Sequence, residues 1–248
     1  MIKRKTLVCL LALPLLAFGQ INDMEFGKNR VQFHRFFDDW DEYESENFVA
    51  YWYGEGRFVG QATVQLAELD FEEIQKTLEY RLNEKMEIIV FTDLTDLHQS
   101  NIGASETFET KSGTVKVVGE KIFVYFDGDH THLRQQVRQG IATVFVNAML
   151  FGSNLQEVVQ NAISLNLPEW FKSGLVSYIG NEWTTDEDDR LRDVFQTKKY
   201  KNFNRFAIAE PELAGHAFWF YIAQQFGKAN VSNLLYLTRI NRSLDMKS

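Results

Sequence analysis

Apolar and polar positions early in the chain predict a strand followed by a long helix. Residues 48–53 are a run of aromatic and small apolar side chains, and Gly54 follows them, which is typical of a strand and its end. From residue 61 to 82, apolar side chains recur mostly at three- and four-residue steps. That period predicts an amphipathic helix with a charged outer face.

Shorter elements are expected next. Residues 87–91 predict a buried strand and residues 93–99 a brief helix. Residues 114–118 and 121–126 flank a two-residue connection, Gly119-Glu120, which predicts a β-hairpin.

Beyond Asp127 the pattern becomes helical. Pro168 suits a first helical turn, and Gly180 and Gly227 suit helix ends. The stretch 186–206 is charged, and its pattern indicates no definite element. We expect helices over residues 132–150, 155–165, 168–178, 215–226 and 231–240. Strands first and helices afterwards predict an α+β fold.

The first nineteen residues have the layout of a secretory signal peptide. Three basic residues precede an apolar run from Leu7 to Phe18, and Gly19 supplies a small residue before a cleavage point at Gln20. The run is too short for a membrane span, although a tethered signal anchor stays open. We expect an exported protein that is periplasmic or associated with the cell envelope; secretion beyond it also stays open. No later segment is expected to span a membrane.

The net charge and the cysteine content limit which partners are expected and how the fold can be stabilised. Removal of residues 1–19 leaves 23 Lys and Arg against 34 Asp and Glu, a formal charge of −11, and removes the one cysteine, Cys9. An acidic surface repels phosphate backbones, so nucleic acid is not expected as a partner. Without disulfides, the fold must be stabilised by its core, and the chain is long enough to bury one.

The expected organisation is a signal peptide at 1–19, an irregular segment at 20–47 and one domain at 48–248. Its strand-rich half covers residues 48–126 and its helical half residues 127–248.

The segment Leu167-Pro168-Glu169-Trp170-Phe171-Lys172-Ser173-Gly174-Leu175-Val176-Ser177-Tyr178 carries a resemblance. It resembles the helix of peptidase MA-like (gluzincin) metallopeptidases that reads proline, any residue, tryptophan, aromatic or leucine, any residue, glutamate, glycine. In that family the glutamate is the third zinc ligand, behind a helix that bears His-Glu-x-x-His. The resemblance implies a thermolysin-like fold, with a mixed sheet and helix followed by a mostly helical lobe.

The residues that the resemblance places at the metal site do not suit zinc chemistry. The best alignment puts Arg138, Gln139 and Ala142 at the first histidine, the glutamate base and the second histidine, and Ser173 at the third ligand. A guanidinium does not bind zinc, and an amide does not take a proton from water. No His-Glu-x-x-His occurs elsewhere. We therefore expect a catalytically inactive relative that needs no cofactor.

A wider likeness covers residues 48–240. Residues 215–222 and 226–228 are similar to a later helix of the same family, and the order of segments also agrees. The chain resembles the N-terminal domain of Bacteroidetes TolB-like translocation proteins, in which a β-propeller follows; the repeats of a propeller are not found here.

The resemblance implies a binding or scaffold role toward an unidentified cell-envelope protein or peptide. Arg138, Gln139 and Trp170 are the candidate peptide-binding residues, because a guanidinium beside an amide can receive a peptide carboxylate. On this hypothesis Arg138→Ala weakens binding and leaves stability nearly intact. A purely structural envelope component, with a filled cleft, is another interpretation.

One alternative keeps an enzyme. Asp127, Asp129, His130 and His132 lie within six residues, so an active metal-dependent hydrolase with a relocated site is a second hypothesis. The competing interpretation is that Asp129 or Thr131 caps the following helix and the histidines are solvated.

Two further features are expected to be structural. His216 is expected to pack or cap at a helix start, and the acidic run 186–189 is expected to form a solvated face.

Overall fold

The computed structural model describes residues 40–54, 57–99, 107–110, 113–152 and 167–241. These residues form a six-stranded mixed sheet and eight helices, which confirms the predicted α+β class. The strands are β1 (Trp40–Glu44), β2 (Phe48–Tyr53), β3 (Met86–Phe91), β4 (Thr107–Thr110), β5 (Gly113–Val118) and β6 (Lys121–Tyr125). The helices are α1 (Arg57–Leu78), α2 (Leu94–Gln99), α3 (His130–Phe151), α4 (Glu169–Gly180), α5 (Thr185–Gln196), α6 (Phe203–Ala209), α7 (Pro211–Phe226) and α8 (Ala229–Asn241).

The strands lie in the order β1-β2-β3-β6-β5-β4. The two central pairs, β2 with β3 and β3 with β6, are parallel, and the remaining pairs are antiparallel. Parallel neighbours need a crossover between them, and α1 provides the crossover from β2 to β3. The predicted hairpin is confirmed as β5–β6, and Gly119 in its turn has φ of +59°, a conformation that glycine adopts readily.

One face of the sheet packs on α1 and α3 and forms the main core. Alternate residues of β2 point into it, with Phe48, Ala50 and Trp52 buried. Gly60 on α1 lies so close to the Trp52 ring that a Cβ there would come within 2.1 Å of it. The fully buried Gln136 of α3 bonds both the amide and the carbonyl of Tyr125, at 3.1 Å each, and so fixes α3 to the end of β6.

The opposite face is partly covered by α2. Leu97 is fully buried against Phe123 and Tyr125. Lys116 is buried on this side and donates to the Leu97 carbonyl at 3.0 Å. Burial lowers the pKa of Lys116.

The helical half is organised around a close crossing of α4 and α7. A Cβ on Gly174 would lie 2.2 Å from the Cα of Gly215, and a Cβ on Gly215 would lie 1.9 Å from the Trp170 carbonyl oxygen. Only glycines allow the two backbones to approach this closely. The two segments that carried the family resemblance therefore meet at their glycines.

Several predicted boundaries shift. The helix expected at 61–82 runs over Arg57–Leu78, because Glu79 adopts φ of +51°, outside the right-handed helical region, and Leu82 packs on the core from the following loop. Residues 40–44, within the segment expected to be irregular, form β1, because they pair along β2. β4 was not expected, and the helix predicted at 155–165 lies outside the described residues. The uncertain stretch 186–206 contains most of α5 and the start of α6.

Among the described helices, none combines the length and the apolar character that crossing a bilayer requires.

Candidate functional site

Arg138 lies on α3 and already contacts two carboxylates of this chain. Its Nη1 donates to Asp70 Oδ1 at 2.7 Å and to Glu73 Oε2 at 2.9 Å, and its Nε donates to the Ile179 carbonyl at 3.0 Å. Asp70 is fully buried, so it needs this positive charge beside it. The guanidinium thus joins α3 to α1 and α4.

A second arginine one turn earlier supports the same carboxylate. Arg134 contacts Asp70 at 2.9 and 3.2 Å, but its side chain is 47% exposed against 19% for Arg138. The expectation that Arg138 can be removed with little effect on stability needs correction, because removal deprives a buried carboxylate of its less solvated partner.

Gln139 points between α3 and α4. It is 3% exposed, and a Cβ on Gly180 would meet its Cγ at 2.6 Å, so the two helices touch at this position. Its Oε1 is buried and accepts no hydrogen bond from the part of the chain that the structure describes. Gln139 is therefore a packed interhelical residue that retains one unused acceptor.

The other two predicted positions are also engaged internally. Ala142 is fully buried, and the Ser173 hydroxyl donates to the Glu169 carbonyl of its own helix at 2.8 Å. Ser173 lies six residues before Ile179, about 9 Å along the axis of α4. The structure therefore brings Arg138 and Gln139 to the end of α4 and leaves Ser173 away from them.

Trp170, a candidate for peptide contact, is a core residue. It is 5% exposed, and its ring lies 5.2 Å from the rings of both Phe203 and Phe218. Its indole has almost no surface left for a ligand.

These positions do not fit the zinc site that the resemblance implies. Such a site needs three nitrogen, oxygen or sulfur ligands around one point. Arg138 is committed to carboxylates, Ala142 has no ligand atom and Ser173 bonds its own helix, which leaves one amide oxygen, that of Gln139.

The run from Asp127 to His132 comprises the turn before α3 and the first three residues of that helix. Asp129 is the N-cap and accepts from the amide of Thr131 at 2.7 Å, as one interpretation of the sequence predicted. His132 Nδ1 lies 3.0 Å from Asp127, and the His130 ring packs on Phe126. The hydrogen bond to Asp127 raises the pKa of His132 and lowers the pKa of Asp127. Across the described ranges, no three His, Cys, Asp or Glu residues are grouped so as to hold a metal ion.

A buried polar cluster joins α4, α5 and α7. His216 is 1% exposed, and its Nδ1 lies 3.0 Å from Ser177 Oγ and 3.7 Å from Glu187 Oε1. Ser177 Oγ also donates to Glu212 Oε1 at 3.0 Å. Because that donation uses the one hydroxyl proton, His216 Nδ1 must donate to Ser177.

This cluster does not have the geometry of a nucleophilic triad. A triad places the nucleophile and the carboxylate on opposite nitrogens of the imidazole, whereas Ser177 and Glu187 both face Nδ1. Ser177 is also 2% exposed, out of reach of a substrate. The three residues hold three helices together.

Glu187 corrects the expectation of a solvated acidic run. It is 6% exposed and forms a capping box with Thr184, whose amide donates to Glu187 Oε2 at 2.7 Å. The sequence carried a signal for this role, since Thr followed three residues later by Glu is the capping-box pattern.

Comparison of the chain with protein-family models, with curated proteins and with solved structures found no match.

Proposed function

We propose that this chain is an exported, non-catalytic binding module of gluzincin-like architecture that binds a protein or peptide of the cell envelope, as the resemblance to TolB-like translocation proteins implies. The observation that carries the proposal is the environment of the four residues that the resemblance places at the metal site. Arg138, Gln139, Ala142 and Ser173 are bonded or packed within the domain, and none is arranged to activate water.

The crossing of α4 and α7 supports the architectural part of the proposal. The segment with the gluzincin-like pattern needs Gly174 because the backbone of Gly215 lies against it. A glycine that is required for packing can persist after catalytic residues have changed, because it stabilises the fold and takes no part in chemistry.

Arg138 is not the binding site in this proposal, although the sequence made it a candidate. Its guanidinium faces Asp70 and Glu73, so a peptide carboxylate would have to displace bonds to carboxylates already in place. Trp170 is likewise buried. Binding is assigned to the exposed surface of the domain.

The experiment starts from the full chain, expressed with its leader in a Gram-negative host and recovered from the envelope fraction without chelator. The mass of the purified protein shows whether the leader has been cleaved before Gln20. The protein is then incubated with a random peptide mixture, and bound and unbound peptides are identified by mass spectrometry. The proposal expects retained peptides of intact length.

Two results would contradict the proposal. One is the absence of any retained peptide. The other is the appearance of cleaved peptides together with stoichiometric metal, both lost in the His130→Ala/His132→Ala variant, which would establish the relocated hydrolase instead.

A further inference from the structure

An open groove of 820 Å³ lies along α1, and Arg138, Gln139, Ala142 and Ser173 are not among the described residues that line it. Its walls are residues 64–75 of α1, Tyr43 of β1 with the turn between β1 and β2 (residues 45–47), and residues 81–83 of the loop from α1 to β3. Ligand pockets in proteins commonly have volumes of about 300–1,000 Å³, so the groove has room for a few peptide residues.

Glu68 fixes one wall of the groove. Its Oε1 accepts from Ser45 Oγ at 2.6 Å and from the Asn47 amide at 2.9 Å, and its Oε2 accepts from Asn47 Nδ2 at 2.7 Å. Burial acts to raise the pKa of Glu68, but these hydrogen bonds outweigh it and the pKa is lowered. Glu68 is therefore an anion in a fixed position on the wall.

The same turn is tied to the sheet. The Met86 amide donates to the Asn47 carbonyl at 2.9 Å, and Lys85 Nζ donates to the Ser45 carbonyl at 2.8 Å. Because the wall is held by several bonds, little conformational freedom is lost when a ligand binds against it.

The lining has a definite charge. Among the described residues, three carboxylates line the groove, those of Glu46, Glu68 and Glu72, against the Arg81 guanidinium, and Lys85 lies beside it on the Ser45 carbonyl. Glu46 and Glu72 are exposed. The excess of negative charge favours a cationic ligand.

Apolar side chains stand beside these carboxylates. Leu69 is 67% exposed, lies next to Glu68 in the sequence and about one turn before Glu72 on the same helix. Tyr43 and Leu82 are half-buried in the lining. A ligand that covers Leu69 removes apolar surface from water. A simple cation would leave that surface uncovered, whereas a peptide with both basic and apolar side chains would cover it.

We propose that this groove binds a cationic peptide segment, with a Lys or Arg side chain toward Glu68 and Glu72 and an apolar neighbour on Leu69 and Tyr43. The proposal rests on the binding function proposed above and assigns it a place and a ligand class.

The test uses the exported full chain and three fluorescent peptides, acetyl-Ala-Leu-Lys-Leu-Ala-amide and its analogues with Gln or Glu in place of Lys. We expect the Lys peptide to bind about tenfold more tightly than the Glu peptide at low salt, and the difference to shrink at 0.5 M NaCl because salt screens exposed charges. The variant Glu72→Lys should weaken Lys-peptide binding about tenfold, and Leu69→Ala about threefold.

The matched control is Asp193→Lys, which makes the same charge change at an exposed position of α5 outside the groove. It should leave affinity within about twofold. Circular dichroism and urea unfolding check that each variant is folded, and Glu72→Gln serves as a milder second variant.

The outcomes separate this inference from the proposed function. If the peptides bind the wild type and the Glu72 and Leu69 variants with equal affinity, the groove is not the binding site, but the proposed binding function stands. Binding of spermidine as tight as that of the Lys peptide would overturn the peptide class. Failure of any peptide to bind, here and in the random mixture, would overturn both proposals.

Discussion

Polar side chains are buried at the seam where α4 crosses α7, but several are exposed in the groove on α1. In the seam, Ser177 and His216 are buried and bond one another. In the groove, Glu46 and Glu72 are exposed beside an exposed Leu69. Polar side chains of α4 and α7 therefore stabilise the fold, whereas those of Glu46 and Glu72 face solvent.

The comparison teaches that side chains of a segment singled out by its sequence pattern can serve packing. Gly174, Trp170 and Ser177 of α4 each have a packing role, in the crossing with α7 or in the buried cluster. Glu68 and Glu72 of the groove, in contrast, have the charged pattern of a helix's outer face, which by itself predicts only solvent exposure.

The largest expected effect is at the helix crossing. Gly215→Ala would place a Cβ 1.9 Å from the Trp170 carbonyl oxygen, so the backbones must separate. We expect a loss of about 3 kcal/mol or more in the free energy of unfolding, measured by urea denaturation.

The control for that change is Gln224→Ala, at an exposed position of the same helix. It should change the free energy of unfolding by no more than about 0.5 kcal/mol. Equal stabilities for Gly215→Ala and Gln224→Ala would contradict the close approach of α4 and α7.

A smaller effect is expected at the ion pairs of α3. Arg138→Ala removes the less exposed partner of buried Asp70 while Arg134 remains, so a loss of about 2 kcal/mol is expected. Arg134→Ala, at a side chain that is 47% exposed, should cost about 1 kcal/mol or less. Thermal or urea unfolding measures both, and the reverse order would show that Asp70 depends mainly on Arg134.

Parts of this arrangement could be predicted from the sequence, and others could not. The strand Phe48–Tyr53 and the β5–β6 hairpin were predicted because local alternation and turn residues determine them. The Arg138–Asp70 pair joins residues 68 positions apart, so no local pattern shows it. β1 was missed because an edge strand rich in acidic residues lacks the usual strand composition.

The positions of the site residues follow the same division. Sequence predicted that Asp129 or Thr131 would cap α3, and Asp129 does, because capping is a local contact. It did not predict the burial of Glu187 under His216, because that depends on how α5 packs on α7. The groove is assembled from three separate segments, so it became visible only in the fold.

The smallest effect concerns pH at Glu120, in the turn between β5 and β6. Burial, together with a hydrogen bond and repulsion from Glu84, raises the pKa of Glu120 to about 7. A carboxyl whose pKa is raised on folding stabilises the fold while it is protonated, and that contribution is lost as pH rises toward 7.

Wild-type stability should therefore fall between pH 5 and pH 8 more than that of Glu120→Gln, which cannot ionise. Urea unfolding of both proteins across this range measures the difference, and the raised pKa of His132 is common to both. Parallel pH profiles would contradict a protonated Glu120 in the fold.

Arg138 is assigned to the stability of the fold and Glu72 to ligand binding. This assignment is tested most directly by measuring both properties on two variants. The free energy of unfolding and the affinity for the Lys peptide are measured for Arg138→Ala and Glu72→Lys. We expect Arg138→Ala to lose about 2 kcal/mol of stability and to bind the peptide as wild type does. We expect Glu72→Lys to keep its stability within about 0.5 kcal/mol and to bind about tenfold more weakly. The opposite pattern, with binding lost and stability kept in Arg138→Ala, would contradict the account.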